Sequence, residues 1–294
     1  MLSNLYYKHM HKILLSVCMI LFLFISCNNQ PKESPITPLT YWDNQLDSLI
    51  IQKDRIQTEE AIHGFIRTFA NTSEDTIRMS IHQLMKQCEK DPIFYMQMAL
   101  AAEMNLYDSR SPLMNEAYYI PFLEAIQASE CLNEGYKFRY EKQLEGCLKN
   151  RPGTQASNIT FIDTDGKESS LYEIEAKHVL MVFYSPSCHK CQEVTNEMKQ
   201  NGRINQWIAS EEVKVVAIYA DGDPQEWENE KDHFPTTWIN GFDYQDEIFK
   251  KGTYMLRMTP TIYLLDSTKK VILKDTNIED ITKYFLSLQT IKEK

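Results

Sequence analysis

Apolar residues recur at helical spacing through the first half of the chain. In the second half they gather into short unbroken runs separated by polar turns. The helical spacing predicts segments at 41–52, 56–70, 74–89, 92–106, 112–129 and 134–149. Asp91-Pro92 and Ser111-Pro112 each read as an N-cap followed by proline at the first helical position, and Ser73 reads as a further cap. Pro121 either kinks the fifth helix or marks its true start. The stripe Phe94, Met98, Ala101, Ala102 and Leu106 reads as core, with a methionine-lined groove the less favoured reading.

Beyond residue 150 the pattern changes. Ile159–Ile162, a turn at Asp165-Gly166 and the stretch from Glu168 to Tyr172 form a predicted hairpin. The run Val179–Tyr184 reads as a strand buried on both faces, followed by a helix over 188–203. Further strands are expected from Lys214 to Tyr219, from Thr261 to Leu265 and from Val271 to Lys274, the last two joined by a turn at Ser267–Lys269. Pro224–Asp232 reads as an acidic helical insert. Asn277 caps a last amphipathic helix that carries Ile278, Ile281, Tyr284, Phe285 and Leu288. The product is a parallel βαβ core completed by a hairpin and a terminal helix.

Composition sharpens this division. Residues 27–150 contain no valine and only Gly64, Gly135 and Gly146, whereas residues 151–294 contain seven valines and six glycines. Valine favours strands and straight-chain residues favour helices, so an all-α domain over 41–150 precedes an α/β domain over 151–294. Asn150-Arg151-Pro152-Gly153 is the punctuation between them.

The first 26 residues read as an export signal. Lys8, His9, His11 and Lys12 form a basic region, and Met10 offers an alternative start. Ile13–Ile25 is a charge-free apolar run of 13 residues, short of the roughly 20 that span a bilayer. It ends in Ser26-Cys27, which resembles a bacterial lipoprotein signal and implies that Cys27 is lipidated as the first mature residue. An uncleaved signal anchor is the competing reading. Residues 27–40, with Pro31, Pro35 and Pro38, read as a semi-rigid tether. The formal charge of the whole chain is −10, and without Lys8 and Lys12 it becomes −12. Neither half is basic, so nucleic acid is not an expected partner.

Seven cysteines in 294 residues are too few for a disulfide scaffold. Cys188-His189-Lys190-Cys191 falls where the buried strand gives way to a helix. There the unpaired N–H groups of a helix start favour the thiolate of Cys188, and His189 and Lys190 push the same way. Cys191 lies one turn on, on the same helical face, within reach of a disulfide. The pair therefore reads as one attacking and one resolving thiol. A zinc site would need two further ligands; no second Cys-X-X-Cys pair or HExxH spacing supplies them and the seven histidines are scattered, so no metal and no cofactor is expected. A purely structural disulfide is the stronger rival. Cys88, Cys131 and Cys147 default to buried free thiols, with one disulfide among them left open. The acidic insert reads as a solvated face or a partner surface.

Strand, Cys188–Cys191, helix, and then Met258-Thr259-Pro260-Thr261 entering a strand resemble the thioredoxin fold. The preceding hairpin, and the separation of 69 positions from Cys191 to Pro260, resemble the TlpA/ResA branch of exported thiol-disulfide oxidoreductases. The resemblance implies a cis Pro260 opposite the cysteines, with Thr259 offering backbone groups to an extended substrate. It also implies exported protein thiols or disulfides as substrates, a membrane electron donor or acceptor, and a place in the cell envelope facing the periplasm. Ser111–Glu116 with Tyr118-Tyr119, and Asn150–Gly153, resemble the helical domain of unknown function that precedes such domains in Bacteroidetes lipoproteins. The chain departs from the family at Val182 and Val194, where the family carries acidic residues, and at Ser187, where it often carries tryptophan. A proton acceptor for Cys191 is therefore not visible in the sequence.

Overall fold

The computed structural model describes residues 36–220 and 222–292. The expected signal, Cys27 and most of the tether lie outside the described residues. Among those residues, no helix is long and apolar enough to cross a membrane.

The N-terminal part is helical: α1 (Leu46–Gln52), α2 (Arg55–Arg67), α3 (Glu74–Cys88), α4 (Pro92–Leu106), α5 (Glu116–Ala128) and α6 (Glu134–Leu148). Side chains cap these helices where the sequence points to caps. Ser73 accepts from the N–H of Thr76, and Asp91 accepts from those of Ile93 and Phe94. The fifth helix does not start at Ser111-Pro112. There the Ser111 hydroxyl is drawn into a turn, donating to the Asn105 carbonyl and accepting from the N–H of Leu113. Asn115 caps the helix instead. Pro121 lies inside it, neither starting nor ending it. Phe94, Met98, Ala101, Ala102 and Leu106 are buried, joined by Phe65, Phe69 and Tyr119.

The C-terminal part is built on seven strands in the order β2-β1-β5-β4-β3-β6-β7. They are β1 (Thr160–Asp163), β2 (Glu168–Ser170), β3 (His178–Tyr184), β4 (Val213–Tyr219), β5 (Ile239–Phe242), β6 (Thr261–Asp266) and β7 (Val271–Leu273). β3, β4 and β5 run parallel, while β6 lies antiparallel to β3. The helices are α7 (His189–Gln200), α8 (Gly202–Ala209), α9 (Pro224–Glu230), α10 (Glu247–Lys250) and α11 (Ile278–Lys292). β3 is buried on both faces: Leu180, Val182 and Tyr184 pack with α7 and α11, while Val179, Met181 and Phe183 pack against the hairpin side.

Two features depart from the sequence reading. The helix expected over 188–203 breaks at Asn201, whose backbone ends α7 and whose side chain caps α8 by accepting from Arg203 and Ile204 N–H. β5 has no counterpart in the sequence reading. It holds only Ile-Asn-Gly-Phe, too short and too polar to stand out from a loop, and its two neighbours in the sheet supply the reason to be extended.

The two parts meet at the end of α6. Gly146 lies against the Met255 side chain there, and a Cβ at this position would push the methionine's methyl end aside. Lys149 Nζ donates to the Gly252 carbonyl at 2.6 Å, and the Asn150 amide donates to that of Thr253 at 3.0 Å.

Candidate active site

β3 ends at Tyr184, at the C-terminal end of the parallel strands, and Cys188 then serves as the N-cap of α7. Its sulfur accepts the Cys191 N–H at 3.2 Å, which places the thiol among the free N–H groups of the helix start. β3 and β6 pair with Phe183 opposite Thr261, so the residues just before Thr261 lie beside the end of β3. That register closes the separation of 69 positions in sequence. The Cys188 thiol lies 3.3 Å from the Thr259 carbonyl, and the Thr259–Pro260 bond is cis.

The two thiols are set apart by their surroundings. Burial works against the Cys188 thiolate. Hydrogen bonds from the Cys191 thiol and N–H, from the Thr259 side chain and from the Lys190 N–H outweigh it, and its pKa falls below the ordinary value. Cys191 is 2% exposed. Burial first, and then its bond to Cys188, push its pKa up to about 12, against weaker help from the Ser185 N–H and the Thr259 side chain. Both cysteines are free thiols in this structure.

His189 and Lys190 point elsewhere. Both reach Glu193, at 3.3 Å and 2.9 Å, with side chains 86% and 63% exposed. The groups that favour the Cys188 thiolate are therefore hydrogen-bond donors at close range rather than these two side chains. Val182 is buried in the sheet, and Val194 lines a groove beside Pro260 with Met258 and Ile262.

A cavity of about 240 Å³ opens behind Cys191, lined in part by Tyr184, Thr195, Lys199, Glu230 and His233. The acidic insert thus folds back toward Cys191, with Glu230 and His233 joined at 2.6 Å. Sequence reasoning gave the insert no such place. It lies about forty residues downstream of the pair, and no motif links them. Arg257 and Met258 also flank the site and were equally silent in the sequence, apart from their position ahead of Thr259. Cys88 and Cys147 are buried free thiols, each pushed up to about 12 chiefly by burial, and Cys131 is free and partly exposed. Among the described residues, no group of three or more His, Cys, Asp or Glu is arranged to hold a metal.

A Cys-X-X-Cys pair at the helix start after a central strand, facing a cis proline at the head of an antiparallel strand, defines a thioredoxin-like protein. Comparison with known proteins agrees. Residues 166–284 match the thioredoxin-like domain family, and residues 39–150 match a domain of unknown function, DUF5106. The crystal structure of a thioredoxin-like protein from Bacteroides caccae is 34% identical with a TM-score of 0.79, over 85% of this chain and 90% of that one. The chain belongs to this thioredoxin-like family. The C-terminal domain of an uncharacterized Bacteroides fragilis protein is 37% identical over 47% of this chain and 98% of its own, with a TM-score of 0.46. The thioredoxin domain of a Bacteroides vulgatus thiol-disulfide oxidoreductase is 21% identical over 47% and 97%, with a TM-score of 0.40. A search of curated proteins returns no match.

Proposed function

We propose that the protein is a thiol-disulfide oxidoreductase that exchanges disulfides with exported proteins. The observation that carries this reading is the contrast between the two thiols: Cys188 accessible with a lowered pKa, and Cys191 buried and held protonated. The Cys188 thiolate attacks a substrate disulfide. One substrate sulfur leaves as a thiolate and takes a proton, and a mixed disulfide forms beside Thr259–Pro260. Cys191 then loses its proton and attacks the Cys188 sulfur, releasing the second substrate thiol and leaving a Cys188–Cys191 disulfide. With no acid at Val182 or Val194, water in the cavity behind Cys191 carries that proton. The reverse sequence oxidises a substrate dithiol. In either direction a membrane donor or acceptor restores the starting state, and lipidation at Cys27 would hold the enzyme in the envelope.

A Cys191→Ala chain should accumulate covalent mixed disulfides in cells, visible on non-reducing gels and lost with reductant. If nothing is trapped while a partner still co-purifies, the domain docks peptides without turnover. The direction follows from equilibration with glutathione and dithiothreitol buffers: a potential near about −270 mV marks a reductase and one near about −120 mV a disulfide donor.

A further inference from the structure

The loop that carries Thr259 and Pro260 is gripped from the helical domain. Arg257 lies two residues before Thr259, its side chain only 8% exposed. Its guanidinium meets the carboxylate of Glu116, the first residue of α5, at 2.6 Å. It also meets Asp275, just past β7, and lies over the Tyr107 ring at 4.9 Å. Lys274 closes the circuit, with Nζ 2.8 Å from Glu116 and 2.9 Å from the Lys149 carbonyl. Two cations and two anions thus balance in a buried cluster. Glu116 is the carboxylate that the helical domain contributes to it.

Desolvation offsets most of the attraction within such a cluster, so stability alone is a poor account of it. What an arginine bridging two carboxylates does supply is fixed geometry. The cluster sits beside the site: Ser109 and Met114 of the helical domain share a cavity of about 250 Å³ with Arg257, Met258 and Pro260. We propose that Glu116, acting through Arg257, is a positioning residue for the redox pair. It fixes the loop that presents Thr259 to Cys188 and Cys191, and so makes the helical domain a working part of the thioredoxin-like site. This inference rests on Cys188 being the attacking thiol.

The test is the pH profile of Cys188 alkylation by iodoacetamide in the reduced, full chain, read by mass spectrometry. Arg257→Lys conserves every charge but loses the two-pronged bridge. Glu116→Gln leaves one buried positive charge unbalanced, which by itself would lower the Cys188 midpoint. Positioning requires the opposite. Both variants should raise the midpoint by about half to one pH unit and so slow alkylation at pH 7 by up to about three- to tenfold. A lowered midpoint in Glu116→Gln, or an unchanged midpoint in both variants with only a lower melting temperature, would overturn the proposal and leave the cluster as an interdomain fastener. If Glu116→Gln does not fold, Arg257→Lys decides alone by the same criterion. Alkylation needs no turnover, so this result is separate from the trapping experiment. A wild-type midpoint at the free-thiol value would sink the oxidoreductase reading itself.

Discussion

At the scale of single residues, the two cysteines differ by environment rather than by chemistry. Cys188 is stabilised as a thiolate by donors that a helix start and Thr259 provide, while Cys191 is held as a thiol by burial. Iodoacetamide at pH 7 should therefore label Cys188 faster than a free cysteine and leave Cys191 unlabelled. Labelling of Cys191 at a comparable rate would contradict this assignment. His189 and Lys190 reach Glu193 on the surface, where ion pairs contribute little. Replacing both with alanine should shift the redox potential of the pair by less than replacing Thr259 with valine, which removes a hydroxyl near both sulfurs. The reverse order would return the tuning role to His189 and Lys190. The Cys-X-X-Cys spacing was legible in the chain because it is local. The cavity with Glu230 and His233 was not, because only the fold brings the insert back.

Among elements, the buried strands and the caps were the most legible. Val179–Tyr184 could only be interior, and Asp91 with Pro92 states a helix start outright. The misread elements are those decided by neighbours. Asn201 breaks a helix because its side chain caps the next one, and Ser111 fails to start one because a nearby carbonyl claims its hydroxyl. β5 exists because β1 and β4 flank it. A Cβ on Gly241 within β5 would run into the ring of Phe161, which is fully buried. Gly241→Ala should thus destabilise the fold by about 1–3 kcal/mol through overpacking, read as a lower urea midpoint. A neutral result would mean that the hairpin yields easily.

On the scale of the whole molecule, the helical and thioredoxin-like parts are joined by the ionic cluster of Glu116, Arg257, Lys274 and Asp275 as well as by the approach of Gly146 to Met255. Three buried thiols, Cys88, Cys147 and Cys191, have pKa values raised to about 12. A raised acid group stabilises the fold fully below its unfolded value, here roughly 8.5, and the contribution fades as pH climbs toward the folded value. Stability of the reduced protein should therefore be level to about pH 8 on this account and fall between about pH 9 and 12. Urea midpoints across that range check the slope. Cys88→Ala and Cys147→Ala together should flatten part of it, and a slope unchanged by both would assign the loss to other groups.

The sequence by itself determined the division into a helical part and an α/β part, because valine content and apolar period are properties of local stretches. It also placed the Cys188–Cys191 pair at the start of a helix and singled out Thr259-Pro260. Only the tertiary structure decided how these act together. The pairing of Phe183 with Thr261 sets Thr259 against the cysteines, and burial of Cys191 sets apart two chemically identical thiols. The union of Glu116 with Arg257 across 141 residues belongs to the same class. Period and spacing report on neighbours along the chain, whereas desolvation and charge pairing report on neighbours in space.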